Sequence, residues 1–393
     1  MRLVVERLYL CQNVDILPEG EWFRNFVPDP SIQYYPLCDD FGPMNMSSII
    51  KFVRQLDEEL HQFSSCTFFY SIDSNRRSLT NAIFLLGAYM ILRLRMDAEE
   101  VVDRFNWLEP TMTVPYRDAT FSVPDFDLSL SDCWRGLIKG IELGWIDQPQ
   151  FLSDYQWGDI DVEEYDHYDN PSNGDMHEVV PGKLIAFKGP RNLSGENYLD
   201  NEQGWRDFSP EFYADLFGDL GVKAVVRLNE PLYEGSCFQD RGISFHELDF
   251  EDCTAPPADI VEAFMRLVDE ADGSVAVHCK AGLGRTGTLI GVYLMRRHGF
   301  TAREAMGWLR IMRPGSVIGE QQHYLCEAEE RASRKAQAAS DDEGRSGSQA
   351  AAIAACTADA GASVCSSVLA AQVAEGIGRR AAARGRAGGK GPA

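Results

Sequence analysis

The chain reads as an α/β protein made of two tandem units, an acidic segment between them and a tail that cannot build a core. Three observations predict this. In the second half, short apolar runs of strand length alternate with segments whose apolar residues recur at helical spacing. One of those strands runs through a glycine-bearing loop into a helix, at Ser274 to Gly287, and a fainter version of the same arrangement stands near Ser71. At 393 residues, 45% hydrophobic and 25% charged, the chain has the length and composition for two sizeable cores.

In the first unit, residues 1–157, Ser47 to Leu56 has helical apolar spacing. Cys66 to Tyr70 reads as a buried strand, and Leu79 to Leu94 as an apolar helix. Residues 158–180, with Asp161, Glu163, Glu164, Asp166, Asp169, Asp175 and Glu178, read as an exposed acidic linker. The second unit, 181–335, should hold strands at Val222 to Leu228, Ile243 to Phe250 and Val275 to Val277. Its helices are expected at Ala258 to Val268, Thr288 to Arg297, Ala302 to Met312 and Glu320 to Arg334. Alternation of this kind means a sheet with its site at the C-terminal ends of the strands. Residues 336–393 are rich in Ala, Gly and Ser and should be disordered. The basic run Arg379 to Arg386 is either a weak nuclear-import signal or a solvated end.

The loop after the third strand carries the chemistry. Cys279 and Arg285 bracket Lys280, Ala281, Gly282, Leu283 and Gly284. Glycines at 282 and 284 let the backbone curl until its amides point inward, and the following helix adds its positive end, so the loop is an anion nest. The planar fork of Arg285 can hold two phosphate oxygens. Dipoles that bind phosphate also stabilise a thiolate, so Cys279 is expected to be a nucleophile. Thr286 places a hydroxyl near the sulfur, and His278 should brace the loop. The nucleotide-binding loop is excluded, because it ends Gly-Lys-Ser/Thr and this one ends Gly-Arg-Thr. Ser71 and Arg77 repeat the separation of Cys279 and Arg285, as a second copy without thiol or glycines or as a coincidental strand, loop and helix.

Cleaving a phosphate ester with a thiolate needs a proton for the departing oxygen. Asp252 is the candidate, where a strand ends before Pro256 and Pro257, with Asp249 and Glu251 as rivals. Gln321 and Gln322 follow the loop Arg313 to Gly319; either amide could orient a hydrolytic water, and Gln321 is the first choice. No metal site and no cofactor is expected. The formal charge of −23 argues against nucleic acid and suits basic ligands. The longest apolar run, Ala82 to Leu92, is too short for a bilayer, Glu6 and Arg7 interrupt the start, and ten scattered cysteines suit a reducing compartment.

With loop, acid and glutamines in hand, the chain resembles the cell-division-cycle 14 family of dual-specificity protein phosphatases. The resemblance rests on His278 to Ile290, Arg313 to Gly319, Val180 to Lys183 and Asp39 to Asn45. It implies two tandem dual-specificity-phosphatase-like domains, the N-terminal one degenerate, with a substrate groove at their junction. It further implies hydrolysis of phosphoserine before proline, with phosphothreonine and phosphotyrosine as further substrates, and a preference for a basic residue downstream, read by Asp166, Asp169 and Asp175. Reversal of cyclin-dependent kinase phosphorylation in the nucleus and cytoplasm, with centrosome, basal body or spindle as further places, follows from the same resemblance. Cys253 departs from it, standing where the family usually has glycine. A phosphoinositide phosphatase would usually carry a second lysine where Leu283 stands, and a phosphate-reading scaffold would have lost Cys279 or Arg285. Substrates and oligomeric state are left open.

Overall fold

Parallel strands joined by helical crossovers organise both halves of the chain. The computed structural model describes residues 2–5, 7–12, 20–150, 154–202 and 205–337, of which those up to Ser333 form one unit. In the first half, β1 (Arg2–Val5), β2 (Leu8–Gln12), β3 (Phe23–Phe26) and β4 (Thr67–Ile72) build a sheet in the order β1-β2-β4-β3. The strands β2 and β3 run parallel to β4, and β1 is antiparallel to β2. Around it pack α1 (Met46–Gln62), α2 (Arg76–Leu94), α3 (Ala98–Arg104) and α4 (Leu130–Glu142). Helix α2 starts three residues before the expected Leu79, because the Asn75 side chain accepts from the Arg77 amide and caps it. Its residues Leu79 through Leu92 are all buried, which accounts for the long apolar run. Among the described residues no helix is long and apolar enough to cross a membrane.

The acidic segment differs from expectation. Instead of an exposed linker it forms the hairpin β5 (Gln156–Trp157) and β6 (Ile160–Asp161), the helix α5 (Val162–Asp169) and the strand β7 (Met176–Val180). Its apolar positions explain the difference: Trp157, Val162, Tyr165, Val179 and Val180 are buried in the core, and the Tyr165 hydroxyl donates to Met312 O at 2.9 Å. Only the carboxylates between them read as a linker.

The second half holds β8 (Leu184–Phe187), β9 (Tyr198–Asp200), β10 (Arg206–Phe208), α6 (Pro210–Asp219), β11 (Ala224–Arg227), α7 (Ser236–Gln239) and β12 (Ser244–Glu247). It continues with α8 (Ala258–Glu270), β13 (Val275–His278), α9 (Gly284–His298) and α10 (Ala302–Met312). A last helix covers 320–337. The sheet order is β12-β11-β13-β8-β7, with four parallel strands and β7 antiparallel at the edge. The central strand, β13, is therefore the one that feeds the Cys279 loop. The expected disordered tail lies, from residue 338 on, outside the described residues.

Helices α4 and α10 lock the two halves together. Each opens with a capping box, Ser129 with Asp132 and Thr301 with Glu304. Their backbones meet at glycines: a Cβ on Gly136 would stand 2.5 Å from Glu304 O, and one on Gly307 would stand 2.7 Å from Asp132 O. The Trp308 ring lies against Gly140, and its indole N–H donates to Val179 O at 2.9 Å. Larger side chains here must push the helices apart. Gly307→Leu should therefore cost roughly 1–3 kcal/mol of stability by overpacking, read as a lower melting temperature in calorimetry; an unchanged melting temperature would show that the contact is not tight.

Candidate active site

The loop after β13 is defined by where its carbonyls go. Cys279 O accepts from His278 Nδ1 at 2.9 Å, and Lys280 O from the Gly189 amide at 3.0 Å. Ala281 O and Gly282 O accept from Arg313 Nη2 and Nε at 2.9 and 2.8 Å, and Leu283 O accepts from the Gly287 amide at 2.9 Å. Five consecutive carbonyls are thus held by the scaffold. In a trans peptide the next residue's N–H points opposite to its C=O, so the amides of residues 280–284 face the other side and form the bowl. Gly282 sits at φ 68°, and a Cβ there would collide with Phe187 O, so glycine is required twice over. The loop expected to bind phosphate is therefore folded with its carbonyls turned outward to the scaffold.

Cys279 is buried at its floor. His278 is fully buried, and desolvation pushes its pKa down to about 3, so the ring is neutral. Its Nδ1 faces a carbonyl and must carry the proton, so Nε2 accepts from the Tyr233 hydroxyl at 2.6 Å. Burial raises the Tyr233 pKa and keeps that donor protonated. His278 braces the loop, and Tyr233 is the partner that sequence reading missed, because nothing local marks it.

Arg285 is also buried, its Nη1 donating to Phe250 O at 2.9 Å. Its Nε lies 3.2 Å from Asp252 Oδ1, while Nη2 is buried with no hydrogen-bond partner among the described residues. The buried Thr286 hydroxyl is likewise unpartnered. Those two groups can serve a bound anion. Asp252 is half-exposed beside Arg285, whereas Asp249 and Glu251 carry no such contact. Cys253 occupies φ 60°, a left-handed conformation in which glycine is favoured.

The glutamines separate clearly. Gln321 is buried against the loop: its amide donates to Thr254 O at 3.1 Å, tying it to the Asp252 segment, and its Oε1 lies 2.8 Å from where a Gly284 Cβ would stand. Gln322 instead accepts from Arg310 at 2.7 Å. Lys280 is exposed and pairs with Glu230 at 3.2 Å.

The three predicted groove carboxylates lie along the acidic segment, each with a partner: Asp166 with Lys51 at 2.7 Å, Asp169 with His177 at 2.7 Å, and Asp175 with Arg313 at 2.9 Å. In the first half, Ser71 and Arg77, expected in the loop between strand and helix, lie instead at the end of β4 and the start of α2, and Arg77 is exposed, turned to Asp39 at 3.3 Å. That copy has no buried arginine and no nucleophile. Among the described residues no group of three or more potential ligands is placed to hold a metal, and all eight cysteines are free.

A thiol at the floor of an amide bowl, closed by a buried arginine, is suited to taking up a phosphoryl group, and it stands at the C-terminal edge of a parallel sheet, where α/β folds place their sites. Residues 2–140 match the model of the N-terminal half of dual specificity protein phosphatases, and 216–331 match the dual specificity phosphatase catalytic domain. The chain is 38% identical to dual specificity protein phosphatase CDC14A of Homo sapiens, over 76% of this chain and 48% of that protein. It is 36% identical to the tyrosine-protein phosphatase CDC14 homolog of Schizosaccharomyces pombe, over 78% and 57%. Among solved structures, Tk-PTP in its active form aligns at 25% identity with a TM-score of 0.33, over 40% of this chain and 97% of its own. The chain is thus similar to CDC14 dual-specificity protein phosphatases over about three quarters of its own length, and it spans about half the length of those relatives.

The neutral His278 sets a pH dependence. Below pH 6.5 the unfolded chain takes up a proton at this imidazole that the native state refuses until about pH 3. Stability present above 6.5 is therefore lost as pH falls through that window, by about 1.4 kcal/mol per pH unit. Urea titrations across the window should show a shallower acid loss for His278→Gln than for wild type; equal slopes would mean the ring does not stay neutral.

Proposed function

We propose that this chain is a protein phosphatase that works through a phosphocysteine intermediate. The observation that carries the reading is the Cys279 bowl with Arg285 at its rim and Asp252 within 3.2 Å of that arginine. The sulfur attacks phosphorus in line; the S–P bond forms as the bond to the leaving oxygen breaks, and Asp252 gives that oxygen its proton. Loop amides and the Arg285 fork take the charge on the equatorial oxygens. Gln321 then orients water, Asp252 removes its proton, and phosphate leaves with the thiolate restored. Thr286 stabilises the departing sulfur.

Similarity to the CDC14 phosphatases supports serine before proline as the main target, with phosphothreonine and phosphotyrosine also accepted, and reversal of cyclin-dependent kinase phosphorylation in the cell cycle. A basic residue downstream of the proline is drawn by the acidic segment. Asp166 and Asp169, whose side chains are 38% and 34% exposed, are the carboxylates placed to exchange partners with it. We place the enzyme in the nucleus and cytoplasm, with spindle, centrosome or basal body as sites of action.

Phosphate release from phosphoserine-proline peptides with and without a downstream lysine, a phosphotyrosine peptide and a phosphoinositide tests this. Selective turnover of the lysine-bearing peptide, abolished in Cys279→Ser, is expected; preference for the lipid would overturn the reading. Asp252→Asn should lower kcat on the serine ester by roughly 10²–10⁴ and far less on p-nitrophenyl phosphate, whose leaving group needs little protonation. Equal losses on both would remove Asp252 from the acid role.

A further inference from the structure

The stretch Arg313 to Gly319 carries one residue that the chemistry above does not use. Arg313 is buried, and all of its guanidinium nitrogens are engaged. On one side Nε and Nη2 donate to Gly282 O and Ala281 O. On the other, Nη2 donates to Asp175 Oδ1 at 2.9 Å, while Nη1 donates to Asp175 O at 3.1 Å and to His177 Nδ1 at 2.9 Å. Burial lowers the His177 pKa, and the neutral ring completes the chain, its Nε2 donating to Asp169 Oδ1 at 2.7 Å. Asn45, the cap of α1 in the first half, donates to the other Asp169 oxygen at 3.2 Å.

Resting on the phosphatase reading, we propose that Arg313 is a positioning residue that turns the Gly282 and Leu283 amides toward the bound phosphoryl group. Asp175 and His177 act as its anchors, which makes Asp175 a support of the loop before it is a reader of the substrate's basic residue. The reason is the peptide plane: fixing the carbonyls of Ala281 and Gly282 outward fixes the N–H groups of Gly282 and Leu283 inward. Five bonds to one rigid fork fix both planes at once, which a single ammonium could not do. Asp175 neutralises the arginine where it is buried, so losing that carboxylate loosens the fork without touching the bowl itself.

The test uses the full chain with p-nitrophenyl phosphate, too small to reach the acidic segment, beside the lysine-bearing phosphopeptide. Asp175→Asn and Arg313→Lys should both lower kcat on the small ester by about 10-fold to 100-fold and raise the inhibition constant of vanadate by a similar factor. KM should change less, and the loss should be equal on the peptide. Added guanidinium should restore part of the activity of Arg313→Ala, which a merely destabilised fold would not show. Melting temperatures check folding, and Arg313→Lys carries the test if Asp175→Asn unfolds. Wild-type turnover of p-nitrophenyl phosphate by Asp175→Asn, with only the preference for lysine lost, would overturn the proposal and leave Asp175 a substrate reader. A wild-type protein inert on p-nitrophenyl phosphate would instead overturn the phosphatase reading on which it rests.

Discussion

Everything at this site depends on keeping five peptide planes in a row facing one way. An isolated chain has no reason to do so, since amides and carbonyls compete equally for water. Here the competition is settled by acceptors and donors from elsewhere: His278, Gly189, Arg313 and the first turn of α9 take the carbonyls from 279 to 283. What is left is a concave row of N–H groups that no protein atom needs to fill. The cost is backbone geometry that only glycine tolerates at 282, where Phe187 O presses from behind.

The second constraint is the close contact of α4 and α10. It places the acidic segment and the first half of the chain against the loop that carries Arg313. Asn45, from the first half, thereby reaches Asp169, and Asp118 accepts from the Gly319 amide at 2.7 Å. The half without a nucleophile thus supplies scaffold to the half that has one. It also goes with a packed acidic segment: Tyr165 and Trp157 are core residues.

Much of the fold was legible, because strands and helices of the second half are marked by local periodicity. The alternation that predicts β13 and α9 is printed in consecutive residues, and so is the separation of Cys279 from Arg285. The acidic segment was misread because its apolar residues are outnumbered by carboxylates and bury only against elements distant in the chain. Asp252 was readable as a carboxylate just before Pro256 and Pro257, but its place 3.2 Å from Arg285 was not. The choice between Gln321 and Gln322 was not, since two adjacent helical residues differ only in which neighbours they meet.

The sequence alone determined the chemistry on offer: a thiol, an arginine six residues on, glycines between them and an acid upstream, all set by bond geometry over short stretches. Tertiary structure decided how those groups are held. Arg313, Tyr233 and Gly189 meet the loop or its His278 brace from 31, 45 and 91 residues away along the chain, His177 meets Arg313 from 136 residues away, and no local pattern records such meetings. It also decided that the predicted groove carboxylates have partners of their own. Charge can be counted in a sequence; which charge is already neutralised depends on packing.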